Sequence, residues 1–147
     1  MGITRIEREA NLQTNATRGL IEELLEAYNA PDLDRAALLY AEDCEYVNRA
    51  LGIRIEGRDA QRTNMQAFLD AFPDRKLRPL RVIADEWGAA VEAGFVATSP
   101  GGPGMPPAGR PYGVQMCCVF EVRDGLVASE HDYIDRSPHR RVKRPSR

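Results

Sequence analysis

The chain has 147 residues, 43% of them hydrophobic and 29% charged, which suits one globular domain with one substantial core. Its formal net charge of −2 excludes a general attraction to nucleic acids or anionic membranes. No apolar run approaches the roughly 18 residues of a membrane span, and no apolar signal core is found, so we expect a cytoplasmic protein. Three cysteines and two histidines, without zinc-type spacing, predict neither a disulfide framework nor a metal site.

The first half of the chain predicts helices. Residues 1–14 are charged and weakly periodic, as in a frayed helix or an arm. Apolar residues then recur at helical spacing over residues 17–28, with Asn15 or Thr17 as the candidate cap. A short helix is expected over residues 33–40. A third, over residues 58–72, presents an apolar stripe.

The second half predicts strands. Extended segments are expected over residues 44–50, 52–57, 76–85, 89–98, 111–122 and 126–135. Arg123-Asp124-Gly125 is a turn signal, so the last two strands form a β-hairpin. Helices followed by strands indicate an α+β fold, with an antiparallel sheet curled over the N-terminal helices. Such a fold encloses a conical space where apolar ligands bind.

Two segments lie outside this pattern. Residues 99–109 are rich in proline and glycine, and they form either a loop at the mouth of a pocket or a plain connection between strands. Residues 136–147 are a basic tail. Basic tails can bind nucleic acid, but no aromatic residues interleave here for base stacking. We therefore expect one domain over residues 1–135, followed by a solvated tail.

The last strand carries the main candidate for chemistry. Side chains alternate between the two faces of a strand, so Asp132 shares a face with the apolar Ile134. If this face meets the core, the carboxyl group loses hydration and its pKa rises, as acid/base catalysis near neutral pH requires. The alternative is an aspartate paired with one of the many arginines. The same face carries Leu126, Ala128 and Glu130, and the opposite face carries Val127, Ser129, His131, Tyr133 and Asp135.

A second polar group lies on the first strand. Tyr46 and Asn48 share one face, where a phenol and a carboxamide can hold a water or a substrate oxygen. His131 faces away from Asp132 by alternation, which disfavours a catalytic pair between them.

Six short motifs, in order along most of the chain, carry a resemblance. They are Tyr40-Ala-Glu-Asp-Cys-Glu-Tyr-Val-Asn48, Glu56-Gly-Arg-Asp59, Ala71-Phe-Pro-Asp74, Pro106-Pro-Ala-Gly-Arg-Pro111, Val122-Arg-Asp-Gly125 and Glu130-His-Asp-Tyr-Ile-Asp135. In their order and spacing, from about Leu20 to Asp135, the chain resembles the SnoaL-like polyketide cyclases of the nuclear transport factor 2-like superfamily.

The resemblance implies a cone-shaped α+β barrel, a dimer or higher oligomer, and no metal or organic cofactor. Cyclases of this family close a ring in a polyketide by intramolecular aldol condensation, with an aspartate on the last strand as the acid/base group. That position matches Asp132. They also carry a pocket histidine on the strand before the loop rich in proline and glycine, where this chain has Thr98.

A relative within the superfamily, limonene-1,2-epoxide hydrolase, is also similar. It has a Tyr-x-Asn on the first strand, like Tyr46 and Asn48, and an aspartate matching Asp132. It activates water with a further Arg-x-Asp on a middle strand. The matching segment here reads Glu92-Ala-Gly-Phe95, which lacks both residues. This difference favours a cyclase.

We therefore expect a cofactor-independent cyclase acting on a small apolar polyketide-derived substrate, as in antibiotic biosynthesis. Asp132 would move a proton, and Tyr46 and Asn48 would bind the developing oxyanion. The alternatives are ring closure driven by shape alone, an epoxide hydrolase or isomerase of the same fold, and a non-catalytic protein for apolar-ligand binding or assembly. The expected pocket residues are Met65, Phe68, Phe72, Trp87, Val114 and Met116.

The outer face of the sheet predicts a homodimer. Its residues are less charged than a solvated face should be, and such a patch usually marks an interface. They are Gln115, Cys117, Val119, Val127, Ser129 and Tyr133.

Overall fold

The computed structural model describes residues 2–136. The tail beyond Arg136, and with it the prediction of a solvated basic end, lies outside the described residues. The helices are α1 (Arg5–Asn29), α2 (Leu33–Leu38) and α3 (Arg58–Ala71). The strands are β1 (Tyr40–Asn48), β2 (Ile53–Glu56), β3 (Lys76–Ala84), β4 (Gly88–Thr98), β5 (Pro111–Arg123) and β6 (Leu126–Asp135).

The strands form one six-stranded, curved and unclosed sheet in the order β2-β1-β6-β5-β4-β3. The predicted α+β fold, with N-terminal helices packed on a curled sheet, is confirmed. The pairings are antiparallel except one, because β1 and β6 run parallel. A parallel pair needs a long crossover between its strands, and here most of the chain forms it. The last strand thereby lies in the interior of the sheet, beside the first.

The predicted hairpin between β5 and β6 is also confirmed. Asp124 and Gly125 have φ values of 53° and 74°, and positive φ at both central residues is the conformation of a type I′ turn. A register shift follows between Glu121 and Val122, and the additional residue on β6 changes which side chains face inward. The predicted outward position of Val127 is therefore wrong, since its side chain is completely buried.

The helices differ from the prediction at their ends. The N-terminal segment is an ordered part of α1, which begins after Thr4. The Thr4 hydroxyl accepts the Glu7 backbone N–H, and the Glu7 carboxylate accepts the Thr4 N–H at 2.7 Å, which forms a capping box. The predicted caps Asn15 and Thr17 are wrong, because both lie inside the helix. The predicted end of the second helix at residue 40 is also wrong, because α2 ends at Leu38 and Tyr40 is the first residue of β1.

The core lies between the helices and the inner face of the sheet. Ile21 of α1, Met65 of α3 and Val91 of β4 are all nearly or fully buried there. Burial of such a side chain stabilises the fold by about 1.5–3 kcal/mol. Within residues 2–136, no helix is both long and apolar enough to cross a membrane.

Candidate active site

A cavity of about 250 Å³ lies between α1, α3 and the inner face of the sheet. Its lining is mostly apolar and aromatic. Its two carboxyl groups lie on β6, and polar side chains of β1 and α3 and the side chain of Arg136 also line it. The predicted pocket residues Met65, Phe68, Phe72, Val114 and Met116 all line it. The volume lies just below the roughly 300–1,000 Å³ of most small-molecule sites, which favours a small ligand.

Trp87 is the exception, and its predicted place in the pocket is wrong. Its side chain is 71% exposed, and it lies in the turn between β3 and β4, outside the cavity lining. The Asp85 carboxylate accepts the backbone N–H groups of Trp87 and Gly88, at 2.7 and 3.0 Å. This turn geometry leaves the indole in solvent rather than over the core.

The loop rich in proline and glycine contributes to the cavity through Met105. Buried Ser99 holds the loop: its hydroxyl donates to the Pro106 carbonyl at 2.7 Å, and its carbonyl accepts the Gly109 N–H. Of the two interpretations left open by the sequence, the position of Met105 favours the loop at the pocket mouth. Thr98, at the family's histidine position, is exposed and donates to Asp74 at 2.6 Å, away from the cavity.

Asp132 lies in the cavity wall, and its side chain is 5% exposed. One carboxyl oxygen, Oδ2, accepts the Tyr46 hydroxyl at 2.9 Å. The other, Oδ1, is buried and has no hydrogen-bond partner within residues 2–136. Within residues 2–136 the aspartate is therefore held by a phenol and forms no ion pair with an arginine, which argues against the alternative of an arginine-paired carboxylate.

The register of the sheet explains why these groups meet. Because β6 lies between β1 and β5, Asp132 is directly opposite Asn48 on one side and Cys118 on the other. Two residues earlier, Glu130 is directly opposite Tyr46. All of these side chains face the cavity. His131 lies on the other face and contacts Glu45 at 2.8 Å, as alternation predicts.

Tyr46 and Asn48 join Asp132 in one chain of hydrogen bonds. The Asn48 amide donates to the Tyr46 hydroxyl at 3.3 Å, and that hydroxyl donates to Asp132. The Asn48 carbonyl oxygen in turn accepts the Leu51 backbone N–H at 3.1 Å. Since the Tyr46 hydroxyl donates its hydrogen bond to Asp132, Tyr46 orients the carboxyl group in this arrangement and is not a free donor to a substrate oxygen.

Glu130 is the site residue that the sequence reasoning did not select. Its carboxyl group lines the cavity, is 8% exposed and accepts the hydroxyl of Tyr40. The signal was present, because Glu130 shares the inward set with Asp132. Tyr40 was missed because its position was assigned to the end of a helix, whereas it is the first residue of β1.

Burial dominates the electrostatics of the cavity. It raises the pKa of the Asp132 carboxyl, and the neighbouring Glu130, Cys118 and Tyr46 side chains partly oppose this rise. Burial, followed by the charge of Asp132, raises the pKa of Glu130 well above its usual range. Burial also raises the pKa of Tyr28, on α1, to about 12. The cavity therefore favours neutral groups and holds protons at neutral pH.

One cluster of potential metal ligands is found within residues 2–136. The Cys118 thiol and the carboxyl groups of Glu130 and Asp132 have ligand atoms within 4.8 Å of one another, and all three residues are buried. The fit is poor in one respect, because burial raises the pKa of each group and a metal ion would have to displace those protons. No step of the chemistry below passes through a metal.

The fold and the cavity together define a small α+β protein with an acid-containing apolar pocket beneath a curved sheet. Residues 21–130 match the family described as the SnoaL-like domain, and the chain belongs to this family. Comparison with curated protein sequences gives no match.

Solved structures share the fold. A candidate polyketide cyclase from Xanthomonas campestris pv. campestris is 27% identical, with a TM-score of 0.73 over 82% of this chain and 91% of that one. A candidate ketosteroid isomerase from Kribbella flavida is 26% identical, with a TM-score of 0.69 over 86% and 82%. IdmH, a candidate polyketide cyclase from Streptomyces antibioticus, is 23% identical, with a TM-score of 0.71 over 81% and 91%.

Proposed function

We propose that this protein is an enzyme that closes a ring in a small, apolar, polyketide-derived substrate, with Asp132 as the group that removes the proton. The observation that carries the proposal is the state of Asp132. It is buried in an apolar cavity, one oxygen is held by Tyr46, and the other has no partner within residues 2–136. A desolvated, oriented carboxylate with one oxygen available is suited to general-base catalysis.

The cavity supports the same proposal through its shape. Rings of Phe72, Phe95 and Tyr112 form a continuous aromatic wall, with Phe72 stacked on Tyr112 at 5.8 Å and edge-on to Phe95 at 5.4 Å. Such a wall can hold a flexible chain folded, so that its reacting carbons are close, and proximity of this kind is worth several kcal/mol. Likeness to candidate cyclases from Xanthomonas and Streptomyces agrees with this substrate class.

An isomerase is the second candidate. Removal of a proton from carbon and its return at another position needs the same base and the same dry cavity. The 26% identity to the candidate ketosteroid isomerase from Kribbella flavida favours it. An epoxide hydrolase has less support. The middle strand offers no arginine and aspartate, since Glu92 is half exposed and paired with Arg81 at 3.1 Å.

The test is Asp132→Asn, with Asp70→Asn as the matched control. Asp70 lies on the exposed end of α3, where its carboxylate accepts the Gln66 amide. Ring closure is measured on short linear poly-β-ketoacyl thioesters, and proton removal by deuterium exchange at the α-carbon of small cyclic ketones. We expect Asp132→Asn to lower both rates by about two to four orders of magnitude, and the control to leave them unchanged.

Each outcome separates the candidates. Exchange without ring closure favours the isomerase. If Asp132→Asn retains the wild-type rate of ring closure, Asp132 is not the base, and closure depends on the shape of the cavity. If the wild-type protein binds these compounds but converts none, a binding protein is the better description.

We further propose that the protein is a homodimer through the outer face of β4, β5 and β6. One row across these strands is Ala90, Val119 and His131, and the next is Glu92, Cys117 and Tyr133. Small and apolar side chains dominate these rows, and Val119 and Tyr133 are substantially exposed. The proposal omits Val127, which the core buries.

A further inference from the structure

We propose that Glu130 is a second proton-transfer group of this site, a neutral carboxylic acid that protonates a substrate oxygen while Asp132 removes a proton from carbon. The inference rests on the proposed function, because it assigns the acid that such a reaction needs beside its base. It concerns a residue that the sequence reasoning did not select.

The first observation is the geometry of the pair. Glu130 and Asp132 are two residues apart on β6. Both follow the register shift, so that they lie on the same face of the strand, and both line the cavity. Their carboxyl groups have oxygens within 4.8 Å of each other. Two carboxylates at this separation in an apolar cavity repel strongly, so that the pair holds one proton between its members at neutral pH.

The second observation concerns what surrounds each carboxyl group. Lysine, arginine and histidine form no ion pair with either residue within residues 2–136. Arg136 also lines the cavity, and His131, on the opposite face of β6, lowers the pKa of Asp132. The other titratable groups that face the pair are phenols and a thiol. They are Tyr28 of α1, Tyr40 and Tyr46 of β1, and Cys118 of β5. No ion pair within residues 2–136 therefore compensates a second negative charge.

The hydrogen bonds assign the proton to Glu130. Asp132 receives the Tyr46 phenol, which itself accepts from the Asn48 amide, and this chain stabilises a carboxylate. Glu130 receives the Tyr40 phenol, which the Gln61 amide supports in a similar way. The difference lies between the carboxyl groups themselves, because the Glu130 and Cys118 side chains lower the pKa of Asp132, whereas Asp132 raises the pKa of Glu130. Desolvation and the adjacent charge of Asp132 raise the pKa of Glu130 well above its usual range, while the rise at Asp132 is opposed by its neighbours.

This arrangement also resolves a difficulty in the oxyanion site. Tyr46 was the expected donor to the developing oxyanion, but its hydroxyl already donates a hydrogen bond to Asp132. A neutral carboxyl group at Glu130 supplies a donor in the same cavity wall. Donors that are already positioned when charge develops usually contribute the largest share of the rate enhancement.

The balanced reaction has three proton transfers. The Asp132 carboxylate takes a proton from the carbon acid, and the resulting enolate carbon attacks the carbonyl carbon. One C–C bond forms, the C=O π bond breaks, and the new alkoxide takes the proton of Glu130. The proton on Asp132 then passes to Glu130, which restores both groups without any oxidant or added base.

The protonation state is tested without substrate. The full-length protein is labelled with ¹³C at the glutamate side-chain carboxyl, and the Glu130 signal is identified by its absence in Glu130→Gln. We expect this signal to remain that of the protonated acid at neutral pH. An ionised Glu130 at neutral pH would overturn the inference. If Glu130→Gln does not fold, displacement of the signal in Tyr40→Phe identifies it.

The catalytic role is tested by deuterium exchange and ring closure with the same compounds as above. Glu121→Gln is the matched control, since Glu121 lies exposed on β5. We expect Glu130→Gln to lower kcat about 100-fold with little change in KM, because an amide cannot donate a proton to an alkoxide. A protonated Glu130 with unchanged kcat in Glu130→Gln would remove its catalytic role. Full activity of Asp132→Asn would instead refute the proposed base, and leaves the NMR result standing.

Discussion

Tyr46→Phe tests the link between the hydrogen-bond chain and the carboxylate most directly. The substitution keeps the aromatic ring, so the packing of this buried side chain is preserved. It removes the donor at 2.9 Å from Asp132 and the acceptor at 3.3 Å from Asn48. Neither carboxyl oxygen of Asp132 then has a hydrogen-bond partner within residues 2–136, since Oδ1 has none in the wild type.

The magnitude follows from the charge state. A hydrogen bond to a charged group contributes about 1.5–3 kcal/mol, and one between neutral groups about 0.5–1.5 kcal/mol. The hydrogen bond from Tyr46 to Asp132 involves a charged group when the carboxyl is ionised, and only neutral groups when the carboxyl is protonated. We therefore expect Tyr46→Phe to lower the free energy of unfolding by about 2–4 kcal/mol at high pH and by about half as much at low pH.

The same bond acts on the titration of Asp132. Because the Tyr46 donor opposes the raised pKa of Asp132, its loss raises that pKa further. The acid limb of the pH–rate profile should move to higher pH, and kcat at neutral pH should fall by about 10- to 100-fold. Urea unfolding from about pH 5 to about pH 9 and pH–rate profiles measure the two effects.

Tyr133→Phe is the control, since Tyr133 lies on the outer face of β6 and is 47% exposed. It should change the free energy of unfolding by no more than a few tenths of a kcal/mol, and it should leave the acid limb of the pH–rate profile in place. A loss of stability in Tyr46→Phe that is the same at both ends of the pH range would refute the reasoning, because the bond would then not sense the charge of Asp132.

Three further predictions concern the pH dependence of stability, the cavity wall and the assembly. Burial raises the pKa of Glu130 above its usual 4.5, so the unfolded chain releases this proton first and stability falls as pH rises through that value. Glu130→Gln should therefore be about as stable as the wild type below about pH 4 and relatively more stable at neutral pH. Thermal unfolding across this range measures the difference in stability between the two proteins, and a difference that does not change with pH would contradict the prediction. Phe72→Ala should remove about 3 kcal/mol of stability and most of the ligand affinity. Trp87→Ala, outside the cavity, should leave the affinity unchanged. Calorimetric titration that finds the same loss of affinity in both variants would show that the ligand does not bind in this cavity. Light scattering at micromolar concentration should give the mass of a dimer, and Tyr133→Arg should give a monomer; a monomeric wild type would remove the proposed interface.

The sequence predicted the fold class because apolar periodicity is strong where an element packs against the core. The bounds of β6 and the turn at Asp124 and Gly125 follow from local chemistry, and both were correct. Val127 was placed on the wrong face because a bulge depends on the pairing of two strands, which alternation within one strand does not contain. Trp87 was misplaced for a similar reason, since the hydrogen bonds of the Asp85 turn decide where its side chain points.

The candidate site was predicted in part. Asp132, Tyr46 and Asn48 were brought together by alternation and by family resemblance, and the structure places them in one hydrogen-bond chain. Glu130 shared the predicted inward set with Asp132 but was not selected, and Tyr40 was assigned to the end of a helix. The contact between them arises from the parallel pairing of β1 with β6. Long-range pairing of this kind has no local sequence signal. The function of the pair depends on burial, which also becomes visible only when the helices cover the sheet.

The parallel contact between β1 and β6 has a consequence for how the protein acquires its site. Tyr46 and Asp132 are 86 residues apart in sequence, and Tyr40 and Glu130 are 90 residues apart. Contacts of such separation form slowly, because most of the chain must be ordered before they can stabilise it. During synthesis, a chain that has not yet released β6 contains the segments of the helices and of β1 to β5, but neither Glu130 nor Asp132. The acidic groups of the cavity are therefore added last, with the strand that joins β1 to β5.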